Sequence, residues 1–158
     1  MAVDLKIKSN SKEISKKFKR LQSKLPRIID KGVKQAGFQL IEIIRTKTKK
    51  GIDINDSPFA PYTQGYINHL EKIGYPTKVD LHYSGDMMGD LTTKKTGKHK
   101  VSLGFARAGE RDKAMFNQVM RGDKNRVFFG FNKRTENIIQ KTFNRFVEKE
   151  LRKFRIWV

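Results

Sequence analysis

The chain has 158 residues, no cysteine, and 35 basic against 16 acidic residues, which gives a net charge of +19. This length suits one compact domain, predicted to span residues 1–158. The absence of cysteine excludes disulfide scaffolds, cysteine-ligated zinc, iron–sulfur clusters and thiol nucleophiles. No apolar run approaches the roughly 18 residues that cross a membrane, so we expect no membrane partner. The N-terminus lacks the apolar stretch of a signal peptide, so we expect an intracellular product or one released without that signal.

The basic excess lies toward the two ends of the chain. Residues 1–50 hold 15 basic and 4 acidic groups (net +11), residues 51–98 hold 5 and 6 (net −1), and residues 99–158 hold 15 and 6 (net +9). Such an excess favours polyanionic partners, including nucleic acid. A solvated basic face and an acidic protein partner are the alternatives.

In the first third of the chain, the spacing of apolar residues predicts one strand and two helices. Apolar and polar residues alternate from Val3 to Ile7, which is typical of a half-buried strand. Apolar residues then recur at steps of three and four from Ile14 to Ile44. Because proline interrupts a helix but is accepted at its first turn, Pro26 divides this pattern into a helix over about 11–23 and a longer one over about 26–48.

The middle of the chain predicts a loop and two short helical segments. Residues 51–62 contain two Pro, two Asp, one Asn and one Ser, a composition typical of loops. A short helix is predicted around Tyr66 to Ile73. Ser84 is expected to cap a helical turn that carries Met87, Met88 and Leu91.

The last part of the chain predicts a hairpin and two helices. The expected elements are strands over Leu91–Lys95 and Lys98–Phe105 around Thr96-Gly97, a helix over Glu110–Met120 closed by Gly122, a strand-like segment over Arg126–Phe131, and a final amphipathic helix over about 134–154. This order predicts an α+β fold. A small antiparallel sheet packs with a long N-terminal helical segment and a C-terminal amphipathic helix.

We find no constellation of residues that predicts catalysis. His69, His82 and His99 have no metal-ligand spacing, and no phosphate-binding loop, dinucleotide fingerprint or nucleophile elbow occurs. The aspartates of the 51–62 loop do not match a calcium loop. We therefore expect no enzymatic activity, no metal and no cofactor. A nuclease is the enzymatic alternative that the charge favours, but its metal would need clustered carboxylates.

Four lysines cluster at the tip of the predicted hairpin: Lys94, Lys95, Lys98 and Lys100. Basic hairpins contact phosphates, whereas lysines on exposed strand edges also serve to block unwanted pairing. We take these four as candidates for contact with DNA or an acidic partner.

Four segments resemble, in order, motifs of the phage virion morphogenesis or tail-completion proteins. The loop Gly51–Tyr62 is similar to that family's Gly-x-Asp … Phe/Trp-x-Pro-Leu, and Leu81–Met87 to Leu-x-x-Ser/Thr-Gly-x-Leu/Met. Ala114–Gly122 is similar to Tyr-Ala-x-x-His-x-x-Gly, and Asn125–Phe131 to Pro-x-Arg-x-Phe-Leu-Gly. The chain departs from the family in having Asn117 or Gln118 where His is frequent, and Asn125 near a usual Pro.

The resemblance implies a structural virion component at the head-proximal end of a phage tail or in the neck, made in the host cell cytoplasm. Members are small α+β subunits that form or join a ring around the DNA path and complete the tail for joining to the filled head. The implied partners are other copies of the chain in a ring such as a hexamer, tail-tube and neck or connector proteins, and genomic DNA. The alternative function is a basic nucleic-acid-binding module.

The candidate subunit-interface residues come mainly from the loop: Asp53, Asp56, Pro58, Phe59, Pro61, Tyr62, Arg121 and Arg126. The two arginines are expected to hold a helix–strand junction or a neighbour's carboxylate. Because the loop has no helical or strand pattern, we expect a chain lacking residues 53–60 to fold but not to assemble.

Overall fold

The computed structural model describes residues 10–119 and 125–154. The expected strand over Val3–Ile7, the helix end at Met120 and Gly122, and Arg121 lie outside these residues. None of the helices in the described part of the chain is both long and apolar enough to cross a membrane.

The described residues form five helices and two strands. In chain order they are α1 (Ser11–Lys49), α2 (Gln64–Lys72), α3 (Asp86–Gly89), β1 (Leu91–Gly97), β2 (Lys100–Phe105), α4 (Ala108–Gln118) and α5 (Lys133–Arg152). The α+β fold with a small antiparallel sheet, a long N-terminal helical segment and a C-terminal helix is confirmed.

The N-terminal helical segment is one helix of 39 residues, with Pro26 inside it. The predicted division into two helices is therefore wrong. Proline removes one backbone donor, but Pro26 is exposed, and the residues on both sides are mostly good helix formers such as Lys, Leu and Gln. At 1.5 Å per residue α1 is about 58 Å long, longer than a small domain needs to span its core.

The two strands form the predicted hairpin, with a different turn. Leu91 pairs with Phe105 and Lys95 with Val101, and the register is irregular between Lys95 and Gly97. The tight turn falls on residues 98–99 instead of Thr96-Gly97, with His99 at a positive φ of 59°.

Residues 126–131, which we call the 126–131 segment, form no regular strand and bend at Phe129 and Gly130. The side chain of Gln118 holds the segment, since its Oε1 accepts from the backbone N–H of Phe128 (3.1 Å) and of Phe129 (3.2 Å), and its Nε2 donates to the Phe129 carbonyl (2.8 Å). The Ile54 N–H donates to the Val127 carbonyl at 2.9 Å. No strand forms here, contrary to the predicted strand-like segment over Arg126–Phe131.

The final helix begins one residue before its predicted start, at Lys133, and ends at Arg152. Asn132 caps it, with its Oδ1 accepting from the Thr135 N–H at 2.9 Å. Helix α5 runs antiparallel along α1: its start is tied to the loop that follows α1, and its Phe143 and Phe146 lie against Gly32.

The core lies on the C-terminal half of α1. Three residues of α1, Leu40, Ile41 and Ile44, form its centre. They pack with buried side chains from the loop, α3, β1, α4 and the 126–131 segment, namely Phe59, Met87, Met88, Leu91, Ala114 and Phe128. The N-terminal third of α1 contributes no buried residue. The core is therefore modest for a chain of this length.

Gly32 sets the spacing between α1 and α5. A Cβ at this position would lie 3.0 Å from two ring carbons of Phe143 and 3.3 Å from Phe146.

Gly32→Leu should lower the free energy of unfolding, because overpacking costs about 1–3 kcal/mol and exceeds the roughly 1 kcal/mol of helix propensity that leucine gains over glycine. Urea denaturation measures the change. Gln35→Leu, on the exposed side of α1, should stay within about 0.5 kcal/mol of the wild type; equal stability of both variants would contradict the close packing.

Candidate interaction surfaces

The loop over residues 51–62 is folded on itself. The Asp53 carboxylate accepts from the backbone N–H groups of Asn55 and Ser57, both at 2.8 Å, and the Asp53 N–H donates to the Ser57 carbonyl at 2.8 Å. Ile52 and Pro58 form an isolated antiparallel bridge. Asp53 therefore shapes its own loop.

Polar contacts anchor the loop to the end of α1 and the start of α5. Lys47 Nζ donates to the Ile54 carbonyl (3.0 Å) and pairs with the Asp56 carboxylate (2.8 Å). Asn132 Nδ2 donates to the same Ile54 carbonyl (2.6 Å) and to Asp56 (3.2 Å). The hydrogen bond from Lys47 is the main cause that lowers the pKa of Asp56 below its usual value.

Phe59 lies in the hydrophobic core and is only 8% exposed. Its side chain is therefore not available to a neighbouring subunit, contrary to prediction. Contrary to the expectation from the sequence, a chain that lacks residues 53–60 should be destabilised, because that deletion removes a core aromatic ring together with the anchoring contacts of Ile54 and Asp56.

Arg126 is also buried, at 6% exposure. Its Nε donates to the Ala60 carbonyl at 3.3 Å, its Nη2 lies 3.5 Å from the Pro61 carbonyl, and its guanidinium lies 4.9 Å from the centre of the Tyr62 ring. Arg126 thus closes the end of its own loop, and of its two predicted roles its burial favours the structural one over contact with a neighbour's carboxylate. Asp56, Pro58 and Pro61 remain exposed, and Tyr62 is half-buried.

An aromatic pocket of about 480 Å³ adjoins this end of the loop. Its walls include Tyr62, Tyr66, Tyr83 and Phe116, and Glu110 lies at its edge. Glu110 accepts from Lys113 at 2.9 Å through Oε1, while its buried Oε2 has no hydrogen-bond partner among the described residues. Burial is the main cause that raises the pKa of Tyr62. All four sequence motifs contribute to its lining, for example through Pro61, Leu81, Asn117 and Arg126, although no pocket was predicted from the sequence.

A second concave surface is basic and lies between α1 and the hairpin; we call it the basic groove. It measures about 300 Å³ and is lined by one carboxylate, Asp30, and five cationic residues: Arg27, Lys31, Lys34, Lys95 and Lys100. Lys94 and Lys98 are exposed on the neighbouring hairpin. The predicted hairpin lysines are thus joined by three cations of α1 that the prediction omitted, although their spacing with Asp30 places them on one helix face.

Asp30 ties the tip of the hairpin to α1. Its carboxylate accepts from Lys95 Nζ, and from the backbone N–H and the ring Nδ1 of His99, both at 3.0 Å. These contacts, that of Lys95 first, lower the pKa of Asp30 to about 2. The basic groove is therefore held in shape by its single carboxylate.

The third surface is the N-terminal part of α1, residues 11–27, which we call the projecting segment. None of its residues is buried, and it carries seven basic residues and one acidic residue. Ile14 is 37% exposed and Phe18 is 48% exposed. They belong to the apolar stripe that, further along α1, enters the core, and in this segment the stripe stays partly exposed.

Across residues 10–119 and 125–154, no group of three His, Asp or Glu side chains is placed to hold a metal ion. The carboxylates described above are used in loop closure and ion pairs. What these surfaces offer chemically is contact with apolar side chains, with aromatic groups and with anions.

Asp30→Asn tests the tether of the hairpin. The pKa of Asp30 is lower when folded (about 2) than its ordinary 3.8, so its stabilisation is present above about pH 4 and is lost as the pH falls through about 2. At pH 7 the variant should be less stable than the wild type in urea denaturation, and this difference should shrink between pH 4 and pH 2. A difference that does not change with pH would contradict the ion pair. Asp112→Asn, at an exposed residue bound only to its neighbour Arg111 in the described contacts, serves as control.

Phe59→Ala tests the anchoring of the loop. Removing a buried phenyl ring should lower the free energy of unfolding by about 3–5 kcal/mol. Pro58→Ala, at the exposed preceding residue, should change it by less than about 1 kcal/mol. Thermal and urea denaturation measure both variants, and a small effect of Phe59→Ala would place the ring outside the core.

No protein-family model, no curated protein and no solved structure matches this chain. Its function therefore has to be inferred from its own residues and contacts.

Proposed function

We propose that this chain is a non-catalytic structural subunit of a phage virion, of the tail-completion or neck type, that assembles with copies of itself into a ring around DNA. The observation that carries the proposal is the projecting segment: a helix that continues far beyond the core it serves, with apolar residues left exposed. The four sequence motifs that resemble the tail-completion family direct this assembly role toward the head-proximal end of a tail.

The exposed apolar surface supports assembly. Besides Ile14 and Phe18, large apolar side chains are exposed on α1, α4 and the 126–131 segment, among them Phe38, Met115, Phe116 and Phe131. We propose that contacts with other subunits cover part of this apolar surface. A thin core that gains stability from neighbours fits a subunit better than a free-standing domain.

The loop over residues 51–62 supports the same role. It is anchored internally by Asp53, Phe59 and Arg126, which leaves Asp56, Pro58 and Pro61 on its outer side. A rigid, outward-facing loop binds a neighbour at small entropic cost. We propose this outer side as the contact with an adjacent subunit or with a tail-tube or connector protein.

The basic groove supports contact with the DNA that passes through such a ring. Five cations around one carboxylate suit phosphate groups, and their contacts carry no base-reading information. The contact would therefore be independent of DNA sequence.

Light scattering after gel filtration in about 0.5 M salt, which screens charge-driven clustering, tests self-assembly. We expect one discrete oligomer of ring size, such as a hexamer. Phe18→Glu should dissociate it, because a carboxylate would be buried in the contact. Ser23→Glu places the same group on the opposite, exposed face of α1 and should leave the oligomer intact. A monomeric wild type, or an oligomer that Phe18→Glu leaves unchanged, would contradict a contact through the projecting segment.

A nucleic-acid-binding module is the second candidate function, favoured by the basic groove. Binding to duplex DNA should weaken with salt, with a log–log slope of about −0.9 for each neutralised phosphate. Lys31→Ala and Lys34→Ala should each reduce the slope by about 1. Lys133→Ala, an exposed lysine outside the groove, is the control. A salt-independent affinity would exclude phosphate contacts by the groove, and magnesium-dependent cleavage of the DNA would favour the nuclease instead.

A further inference from the structure

An apolar groove of about 700 Å³ runs along α1 between the hairpin and α5; we call it the strand groove. The hairpin and α5 both pack on α1 but make few contacts with each other. Helix α1 forms the floor, and β2, the 126–131 segment and α5 form the walls. The apolar side chains that line the groove are those of Val33, Leu40, Val101, Leu103, Ile139 and Phe143. Its open side includes Phe131, which is 56% exposed.

The wall formed by β2 is the edge of an incomplete sheet. The sheet has two strands in the described part of the chain, and no backbone hydrogen bond joins β2 to another described segment besides β1. Two-stranded sheets are marginal, and an open edge is a template for a further strand. A further strand beside β2 would turn alternate side chains toward the floor of the groove, which α1 forms.

The chain itself contains a segment with the matching pattern. Val3, Leu5 and Ile7 alternate with Asp4, Lys6 and Lys8. In an extended conformation one face is apolar and the other is charged. The apolar face suits the floor of the strand groove, and the lysines suit Glu136 at its rim.

The segment cannot reach the strand groove of its own chain. It joins α1 at Asn10, and Val33, at the near end of the groove, lies 23 residues along a continuous helix, about 35 Å away. Nine residues span at most about 32 Å when fully extended, and Ile7 is only three residues from Asn10. A segment paired along β2 must therefore come from another molecule.

We propose that the strand groove binds residues Val3–Ile7 of a second copy of this chain, which add a third strand beside β2. The inference deepens the proposed function and rests on its self-assembly: each subunit gives its N-terminal segment to one neighbour and receives that of another. Such a head-to-tail exchange is heterologous and closes into a ring when the rotation permits.

Disulfide trapping in the full-length chain tests the exchange, because the natural sequence has no cysteine. One preparation carries Leu5→Cys and a mass tag, and the other carries Gln140→Cys on the exposed rim of the groove. The two are unfolded together, refolded and oxidised. We expect a covalent tagged–untagged dimer, since disulfides form only between Cβ atoms about 4 Å apart. Val3→Cys and Ile7→Cys sample the neighbouring registers.

Leu5→Cys mixed with Ser23→Cys, on the opposite side of α1, is the matched control and should give little tagged–untagged dimer. Equal trapping at Ser23 would overturn the proposal. So would an internal disulfide in a monomer of the double variant Leu5→Cys/Gln140→Cys, because the segment would then occupy its own groove.

A second measurement separates this inference from the proposed function. Leu5→Glu with Ile7→Glu should reduce the oligomer measured by light scattering to smaller species, whereas Asp4→Ser with Lys6→Ser, on the outward face, should not. If all the variants form the wild-type oligomer and no trapping occurs, the exchange is wrong and self-assembly stands. If the wild type is monomeric at every concentration and no trapping occurs, both are wrong.

Discussion

Helix α1 is the element on which the rest of the structure depends. The hairpin and α5 both pack on it and hardly touch each other, so the fold is organised by one surface instead of by a closed sheet. Close approach on both sides requires small residues: a Cβ at Gly37 would lie 3.0 Å from Thr93 of the hairpin, as one at Gly32 would from Phe143 of α5. The buried stripe of a single helix thus positions the hairpin and α5.

Polar contacts between residues far apart in the sequence supplement this small hydrophobic core. Arg45 of α1 donates to the carbonyls of Met88 (2.9 Å), Gly89 (3.1 Å) and Leu91 (3.3 Å), which end α3 and begin β1. Backbone groups that no regular sheet satisfies are satisfied by side chains, as they also are at Gln118 and Asn132. Each such bond contributes about 1 kcal/mol, but an unpaired buried carbonyl would cost more. Specific side chains therefore satisfy backbone groups that, in larger domains, are satisfied by hydrogen bonds between neighbouring strands.

The same organisation explains why the molecule has so much unoccupied surface. A helix that supports two separate layers leaves a groove between them, and a helix longer than its core leaves an amphipathic end. Both features carry apolar residues beside an excess of positive charge, which limits nonspecific self-association while permitting defined contacts. The proposed assembly would bury these surfaces in contacts between subunits.

Local pattern predicted most of the elements in the described part of the chain. The steps of three and four in α1 and α5, the alternation in β2, and the loop residues at 51–62 report directly which face of each segment is apolar. The α+β class, the hairpin and the C-terminal helix follow from them. The four hairpin lysines were singled out by their sequence alone, and the structure leaves all of them exposed.

Contacts between residues far apart in the sequence decided the features that the local pattern did not predict. Pro26 has an interrupting effect in isolation, yet α1 continues through it. Phe59 and Arg126 lie in or beside a loop by composition, but the core and the carbonyls of residues 60 and 61 take up their side chains. Asp30 meets His99, 69 positions away, to complete the basic groove. The sequence by itself determined the elements and their charge, because these depend on near neighbours; only the tertiary structure decided which loop residues are buried and which cations share a surface, because those depend on which segments meet.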